Sequence, residues 1–261
     1  MAAAAELPLS LLSVLIPCFN EEGRIGHTLD RLLAWGERFA EFEVLIVDDG
    51  SGDRTAEVVR SAADERVRLA QRPQRGGKGA AVRTGMAEVR LPWVLVVDAD
   101  LPLPLEQFSL FERESAANDV VLASKFAPRS DVDYPWLRRV LSRTAHVLIE
   151  AATSSGVSDT QCGFKLFRTE AARHLFACQR LDGYGYDFEV LFLARRFGYT
   201  VAEVPARIRN SPRGKVSFTS YAHTLGELAA LVWNRALRRY PAAAEGDPPH
   251  LALRHGAQSR K

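Results

Sequence analysis

No stretch of this 261-residue chain is apolar for long enough to cross a bilayer as a helix. The longest early uncharged run, Leu7 to Asn20, holds 14 residues and two prolines, whereas a spanning helix needs about 20 apolar residues. Neither Lys nor Arg precedes that run, so the N-terminus makes a poor secretory signal. Cysteine is scarce: Cys18, Cys162 and Cys178 are an odd number without a CxxC spacing. This argues against a disulfide framework and reads as reduced thiols in a cytosolic protein. There is no internal repeat. With 47% hydrophobic and 25% charged residues, the composition is that of a folded domain, not of a disordered, collagen-like or coiled-coil chain. Net charge is only +2, but residues 1–124 carry 13 basic and 20 acidic side chains, and residues 125–261 carry 21 and 12. An acidic half beside a basic half suits a metal or nucleotide on one side and an anionic partner on the other. Nucleic acid is a poor candidate, because the aromatic residues form no recognisable RNA-binding pattern.

The apolar runs are continuous, not alternating. Strands are expected at 11–17 (LLSVLIP), 42–49 (FEVLIVDD), 67–69, 93–100 (WVLVVDAD) and 119–124 (DVVLAS). Between them, apolar spacing predicts helices over 24–39, 55–63, 78–90 and 105–116. Strands alternating with helices, buried on both faces, define an α/β protein with a mostly parallel central sheet. The second half is less regular. Helices are expected over 135–151, 169–177, 186–197 and 219–239, and strands over 162–167 and 200–205. Residues 1–10 are expected to be a flexible lead-in. The Ala-, Pro- and Gly-rich segment 241–261 is expected to be a disordered tail.

Ligands bind beyond the carboxyl ends of such strands, and polar clusters lie at those ends. Asp98-Ala99-Asp100 places two carboxylates within reach of one hard divalent cation, Mg²⁺ or Mn²⁺; an acidic turn after a strand would look the same. Asp48-Asp49-Gly50-Ser51 could accept hydrogen bonds from a base or ribose, or could be an Asp-Gly turn. Pro17-Cys18-Phe19-Asn20-Glu21-Glu22 is a third such cluster, or a Pro-led loop with acids at a helix start. Arg75-Gly76-Gly77-Lys78-Gly79 fails the phosphate-loop pattern, since position 72 is Arg and Gly79 follows Lys78. It could still bring amides and an ammonium to an anion, or be a plain turn.

In this order and spacing, the three clusters resemble family 2 glycosyltransferases. The segment Asp159-Thr160-Gln161-Cys162-Gly163-Phe164-Lys165-Leu166-Phe167 resembles the hallmark of dolichyl-phosphate β-glucosyltransferases and bacterial polyprenyl-phosphate relatives. Gly77-Lys78-Gly79, Asp187-Phe188-Glu189 and Glu203-Val204-Pro205 agree with it. The resemblance implies a GT-A fold over 11–240, Rossmann-like, with helices on both faces and C-terminal amphipathic helices. Residues 11–125 would be the nucleotide-sugar half and 126–240 the acceptor half. It implies a nucleotide-sugar pocket lined by Pro17, Phe19, Glu21, Val47, Asp49, Lys78 and Ala99. Asp98 and Asp100 would hold Mg²⁺ or Mn²⁺, and Lys125, Arg207, Arg209 and Lys215 would meet an acceptor phosphate. Where relatives carry Gly-Ser-Arg, this chain has Ala123-Ser124-Lys125; the charge is kept, but bidentate phosphate geometry is lost.

The implied reaction moves a hexose, glucose from UDP-glucose, to polyprenyl phosphate, with inversion. A phosphate monoester is mostly dianionic at pH 7 and needs no general base. Were the acceptor a hydroxyl, Asp187 is the candidate acid/base residue, though it equally suits a helix N-cap. A nucleotide-sugar-binding module without turnover is the third reading. A lipid acceptor calls for a membrane surface. The segments 134–149 and 221–240 set Trp136, Leu148, Leu225 and Trp233 beside arginines, as an interfacial helix does; ordinary packed helices share that pattern. The expected location is cytoplasmic and peripheral, on the inner face of the membrane.

Overall fold

The computed structural model describes residues 9–132, 146–208 and 218–242. Nine strands and eight helices follow in chain order: β1 (Leu11–Cys18), α1 (Ile25–Gly36), β2 (Glu41–Asp48), α2 (Thr55–Ser61), β3 (Val67–Gln71), α3 (Lys78–Glu88), β4 (Trp93–Val97), α4 (Phe108–Ser115), β5 (Val120–Ser124), β6 (Asp131–Val132), α5 (146–153), β7 (Phe164–Arg168), α6 (Thr169–Cys178), α7 (Tyr186–Arg196), β8 (Val201–Pro205), β9 (Arg207–Ile208) and α8 (Phe218–Ala236). A short 3₁₀ turn, Leu105–Gln107, leads into α4. Seven strands form the main sheet in the order β3-β2-β1-β4-β7-β5-β8. β7 alone runs antiparallel to its neighbours; the remaining pairings are parallel. β6 and β9 pair separately.

Side chains alternate between the two faces of each strand, and here both faces are covered. Leu12, Val14 and Ile16 of β1 join Ile25 and Leu29 of α1 and Phe108 and Phe111 of α4 in one core layer. Leu15, Leu45, Val94 and Leu122 meet α3, α6, α7 and Leu231 of α8 in the other. This two-sided burial is why the strands read as unbroken apolar runs.

Several boundaries differ from the sequence expectation. The first helix ends at Gly36 and not at 39, where the Phe42 ring leaves no room for a side chain at Gly36. β4 stops at Val97, so Asp98-Ala99-Asp100 is an exit loop rather than strand. The helix expected over 105–116 is split into the 3₁₀ turn and α4. Of the helix expected over 135–151, residues 135–145 lie outside the described residues. So do residues 1–8 of the expected lead-in and 243–261 of the expected tail.

Candidate active site

β1 and β4 are neighbours, yet the chain leaves β1 for β2 on one side and returns to β4 on the other. Their exit loops diverge, and such a switch point opens a crevice at the carboxyl edge of a parallel sheet. The loop after β1 is stitched to the turn after β2. Asn20, in the left-handed region at φ 57°, accepts the Gly52 N–H through Oδ1 at 2.9 Å. Its own N–H donates to Ser51 Oγ at 2.9 Å, and the Glu21 N–H donates to Thr55 Oγ1 at 2.8 Å. The Glu21 carboxylate is half-buried beside Arg24 Nε at 2.7 Å. Burial raises its pKa in spite of that partner, and the nearby Asp100 charge adds to the rise.

At the end of β2 the two carboxylates act locally. Asp48 closes the turn by accepting the Ser51 N–H at 3.0 Å. The buried Asp49 takes Arg72 Nη1 at 2.5 Å and the N–H groups of Gly76 and Gly77 at 3.0 and 2.7 Å. Residues 72–77 thus fold back over β2. Gly50 permits this at φ +74°, because a Cβ there would strike the backbone of Gln74 and Arg75. The Arg75 guanidinium then lies 4.1 Å from the Phe19 ring centroid. Pro17 is half-buried at the rim. Val47 supports the rim from below: its side chain is fully buried, against α3 at Gly85.

Lys78, the first residue of α3, is the hub of the crevice. Its Nζ lies 2.6 Å from Asp98 Oδ1 and 4.0 Å from Asp187 Oδ2. Burial works against its charge, but Asp98 leads the groups that outweigh that penalty, and its pKa sits well above the usual lysine range. The other Asp98 oxygen faces Gly163, where any Cβ would collide with it. Ala99 is buried, and its carbonyl accepts the Thr28 hydroxyl at 2.6 Å. The Asp100 carboxyl is pushed above the usual range, first by desolvation and then by the Asp98 charge. The amides expected to be free at the glycine-rich turn are used internally. Gly76 and Gly77 donate to Asp49, Gly79 donates to the Gly183 carbonyl at 3.1 Å, and Ala80 to the Asp182 carbonyl at 3.0 Å. What remains for an anion is the Lys78 ammonium, not the backbone of a helix N-terminus.

The side of the site beyond β4 holds its charges inside. Lys165 of β7 is buried; its Nζ ion-pairs with Asp187 Oδ1 and donates to the Cys162 carbonyl at 2.7 Å. Asp187 is buried between Lys165 and Lys78. Lys125 Nζ pairs with the buried Asp159 Oδ2 at 2.9 Å, and the same oxygen accepts the Lys125 N–H. Arg207 is exposed and tied to Gln107 only through its backbone, at 2.9 and 2.7 Å. Arg209 and Lys215 lie outside the described residues. The crevice therefore gathers Phe19, Glu21, Asp49, Lys78, Asp98, Asp100 and Asp187, with Lys125 bound to Asp159 at the end of β5. Sequence reasoning passed over Lys165, Arg72 and Arg75. Lys165 had a signal: it is the single charge inside the apolar run Cys162–Phe167, and a buried ammonium requires a carboxylate partner.

Among the described residues no helix is long and apolar enough to cross a membrane. α8 nevertheless has two characters. Leu228 and Leu231 are buried, whereas Leu225, Val232 and Trp233, at 63% exposure, face outward, as does Leu237 just past its end. α5 exposes Val147 and Leu148, and a groove of about 400 Å³ runs between Ala152 and the outer face of α8. Arg235, Arg238 and Arg239 are exposed at the same end. The expected partner segment at 134–145 lies outside the described residues.

The chain is similar to known proteins. The model of glycosyl transferase family 2 matches residues 13–176. A dolichyl-phosphate beta-glucosyltransferase of Trichomonas vaginalis is 35% identical over 207 residues, covering 74% of this chain and 64% of that protein. The Homo sapiens dolichyl-phosphate beta-glucosyltransferase is 30% identical over 216 residues, covering 76% and 67%. The chain spans less than two thirds of the length of the Trichomonas relatives, 61–65%. Among solved structures, glucosyl-3-phosphoglycerate synthase of Mycobacterium tuberculosis, in complex with Mn²⁺, UDP and glucosyl-3-phosphoglycerate, superposes with a TM-score of 0.61. It is 22% identical, with 90% of this chain and 81% of that one covered. The shared architecture is the GT-A fold.

Proposed function

Because the chain belongs to glycosyl transferase family 2, we propose that it is an inverting hexosyltransferase that passes glucose from UDP-glucose to a polyprenyl or dolichyl phosphate. The relatives named above are dolichyl-phosphate beta-glucosyltransferases by name. The observation that carries the reading is the arrangement at the switch crevice. Asp98 and Asp100 leave β4 beside Lys78, on the same rim as Phe19, Glu21 and Asp49.

The crevice suits a divalent cation. Asp98, Asp100 and Glu21 are carboxylates of one rim, and burial and mutual repulsion raise the pKa of Asp100 and Glu21. The second Asp98 oxygen lies against Gly163, which has room for it only because it carries no Cβ. Among the described residues no set of three or more His, Cys, Asp or Glu is gathered to enclose an ion. Asp98 and Asp100 would therefore hold Mg²⁺ or Mn²⁺ together with donor phosphate oxygens and water, the usual sharing for these ions. Bound there, the cation would neutralise charge developing on the leaving diphosphate. Phe19, Pro17 and Glu21 would line the nucleotide. Asp49 would act through the loop it holds, which presents Arg75 over Phe19. Lys78 would stabilise the diphosphate as a fixed positive charge, a role worth most in a site from which water is excluded.

A lipid phosphate attacks as an anion and needs no proton removed. Asp187 then has no base to provide; it holds Lys165 and Lys78 in place. Arg207, Arg209 and Lys215 would balance the acceptor charge. Support for a peripheral membrane position comes from the apolar outer side of α8 with its neighbouring arginines. The test is a panel of nucleotide sugars with Mn²⁺ or Mg²⁺ and a short polyprenyl phosphate, read by product mass. A hexosyl-phospholipid that disappears in EDTA is the expected result. Transfer confined to water-soluble glycan would overturn the lipid acceptor, and no transfer from any donor would overturn the enzyme.

A further inference from the structure

We propose that Glu227 of α8 is a positioning residue for Lys78, tying the helix that carries the exposed apolar face to the donor side of the crevice. The inference rests on the proposed function for its catalytic meaning and on geometry alone for the mechanical link.

Two glycine-bearing loops interlock between α8 and α3. Residues 182–185 (Asp-Gly-Tyr-Gly) lie against residues 77–80 at the start of α3. The Asp182 and Gly183 carbonyls accept the Ala80 and Gly79 N–H groups, and Arg83 of α3 ion-pairs with Asp182 at 2.7 Å. A Cβ at Gly77 would strike the Asp182 carbonyl, and one at Gly79 would strike the Leu181 carbonyl and Tyr186. Tyr184 and Tyr186 flank the Lys78 ammonium, 6.0 and 5.6 Å from their ring centroids.

The far side of the same loop is held by α8. Glu227 Oε2 accepts the Gly185 N–H at 2.8 Å. It packs so closely that a Cβ on Gly183 would overlap its Oε1 and one on Gly185 its Cβ. Gly183 is therefore packed against the Glu227 carboxylate on one side and accepts from Gly79 on the other. Glu189 secures the preceding turn, accepting the Arg180 and Leu181 N–H groups at 3.0 and 2.8 Å and the Tyr240 hydroxyl beyond α8. Because Lys78 opens α3, a shift of the 182–185 loop moves the turn that aims its ammonium at Asp98. Contact between α8 and a lipid surface would be felt by Lys78 through two peptide units, with no domain motion required.

Hydrogen exchange on the full-length chain tests the link without donor, metal or lipid. Glu227→Ala should speed exchange at Gly185 and also at Gly79 and Ala80. Neither of those α3 amides touches Glu227, and the increase should be about tenfold or more, the scale of one lost charge-assisted hydrogen bond. Glu227→Gln keeps an acceptor oxygen and should give a smaller change in the same amides, which guards against a variant that merely unfolds. Faster exchange confined to 183–185 in both variants, or spread evenly through the chain, overturns the proposal. If wild-type turnover is found, Glu227→Gln should raise the KM for the nucleotide sugar several-fold and leave the KM for the lipid within twofold. A role limited to holding α8 against lipid would give the reverse split and would also overturn it. Absence of wild-type turnover sinks the proposed function and leaves the exchange result to decide the link.

Discussion

At the carboxyl rim of β1, β2 and β4, carboxylates outnumber their partners; beyond β4, three buried ion pairs form, and the buried Glu189 is held by backbone amides and the Tyr240 hydroxyl. Glu21, Asp98 and Asp100 crowd one edge, and two of them have raised pKa values. In the other region Lys165 pairs with Asp187, Lys125 with Asp159, and Arg168 with Asp119. The first region is left short of positive charge, as a cation site must be. The second is internally neutralised, so most of its charges serve architecture. The Lys125–Asp159 and Lys165–Asp187 pairs cancel within residues 125–261, so the net +9 of that segment is carried by other side chains. An ion pair inside a fold costs desolvation that its own attraction roughly offsets; an unbalanced rim carries that penalty until a ligand relieves it.

If this contrast is right, substitutions in the two regions should fail in different ways. The largest effect is expected at the rim. Asp100→Ala should lower metal-dependent transfer by about 10²–10³-fold, the scale for losing one electrostatic stabiliser, with an unchanged thermal melt. Initial rates against Mn²⁺ concentration check this, and near-normal turnover would remove Asp100 from the cation site. Next, Lys165→Met should destabilise the fold by up to about 3–5 kcal/mol, because it takes the direct ion-pair partner from buried Asp187 and leaves it Lys78 at 4.0 Å. Urea denaturation measures it, and Lys165→Met with Asp187→Leu should recover most of the loss. A mild effect of the single substitution would show that Asp187 is better solvated than its burial indicates.

A smaller effect is expected on the outer face of α8. Trp233→Glu and Val232→Glu should each weaken sedimentation with anionic vesicles several-fold and leave the melting temperature unchanged, since neither side chain is in the core. Equal binding by wild type and variants would assign that face to something other than lipid. The smallest effect concerns the thiols. Burial pushes the Cys162 pKa up to about 12 and raises that of Cys18 well above its usual value. A raised thiol pKa means a protonated, unreactive sulfur at pH 8, with thiolate appearing only as pH climbs toward the shifted value. Iodoacetamide at pH 8 should therefore label the less buried Cys178 before the other two, as peptide mass spectrometry would report. Early labelling of Cys162 would mean that β7 opens readily.

The parallel half of the fold could be read from the chain because its signals are local. Unbroken apolar runs in β1, β2 and β4 end in Glu21, Asp49 and Asp98, and strand ends are where such sheets put their ligands. The reversed direction of β7 could not be read, since Phe164–Arg168 is apolar in either direction. The partners of the site were also out of reach. Asp49 holds Gly76 and Gly77, Lys165 meets Asp187 across 22 positions, and Glu227 meets Gly185 across 42. Hydrogen bonds of that span leave no period in the sequence.

The sequence by itself determined the two-sided sheet, the placement of acidic residues at its rim and the family, because hydrophobic period and short motifs are properties of neighbouring residues. Only the tertiary structure decided which charges are available and which are consumed. Lys78 faces Asp98, Lys125 is held by Asp159, and the amides of the glycine-rich turn are spent on Asp49 and on the 182–183 carbonyls. The physical reason is that a charge or a peptide N–H in a folded protein is defined by what lies within about 3 Å of it, and that neighbour is chosen by the packing of distant segments.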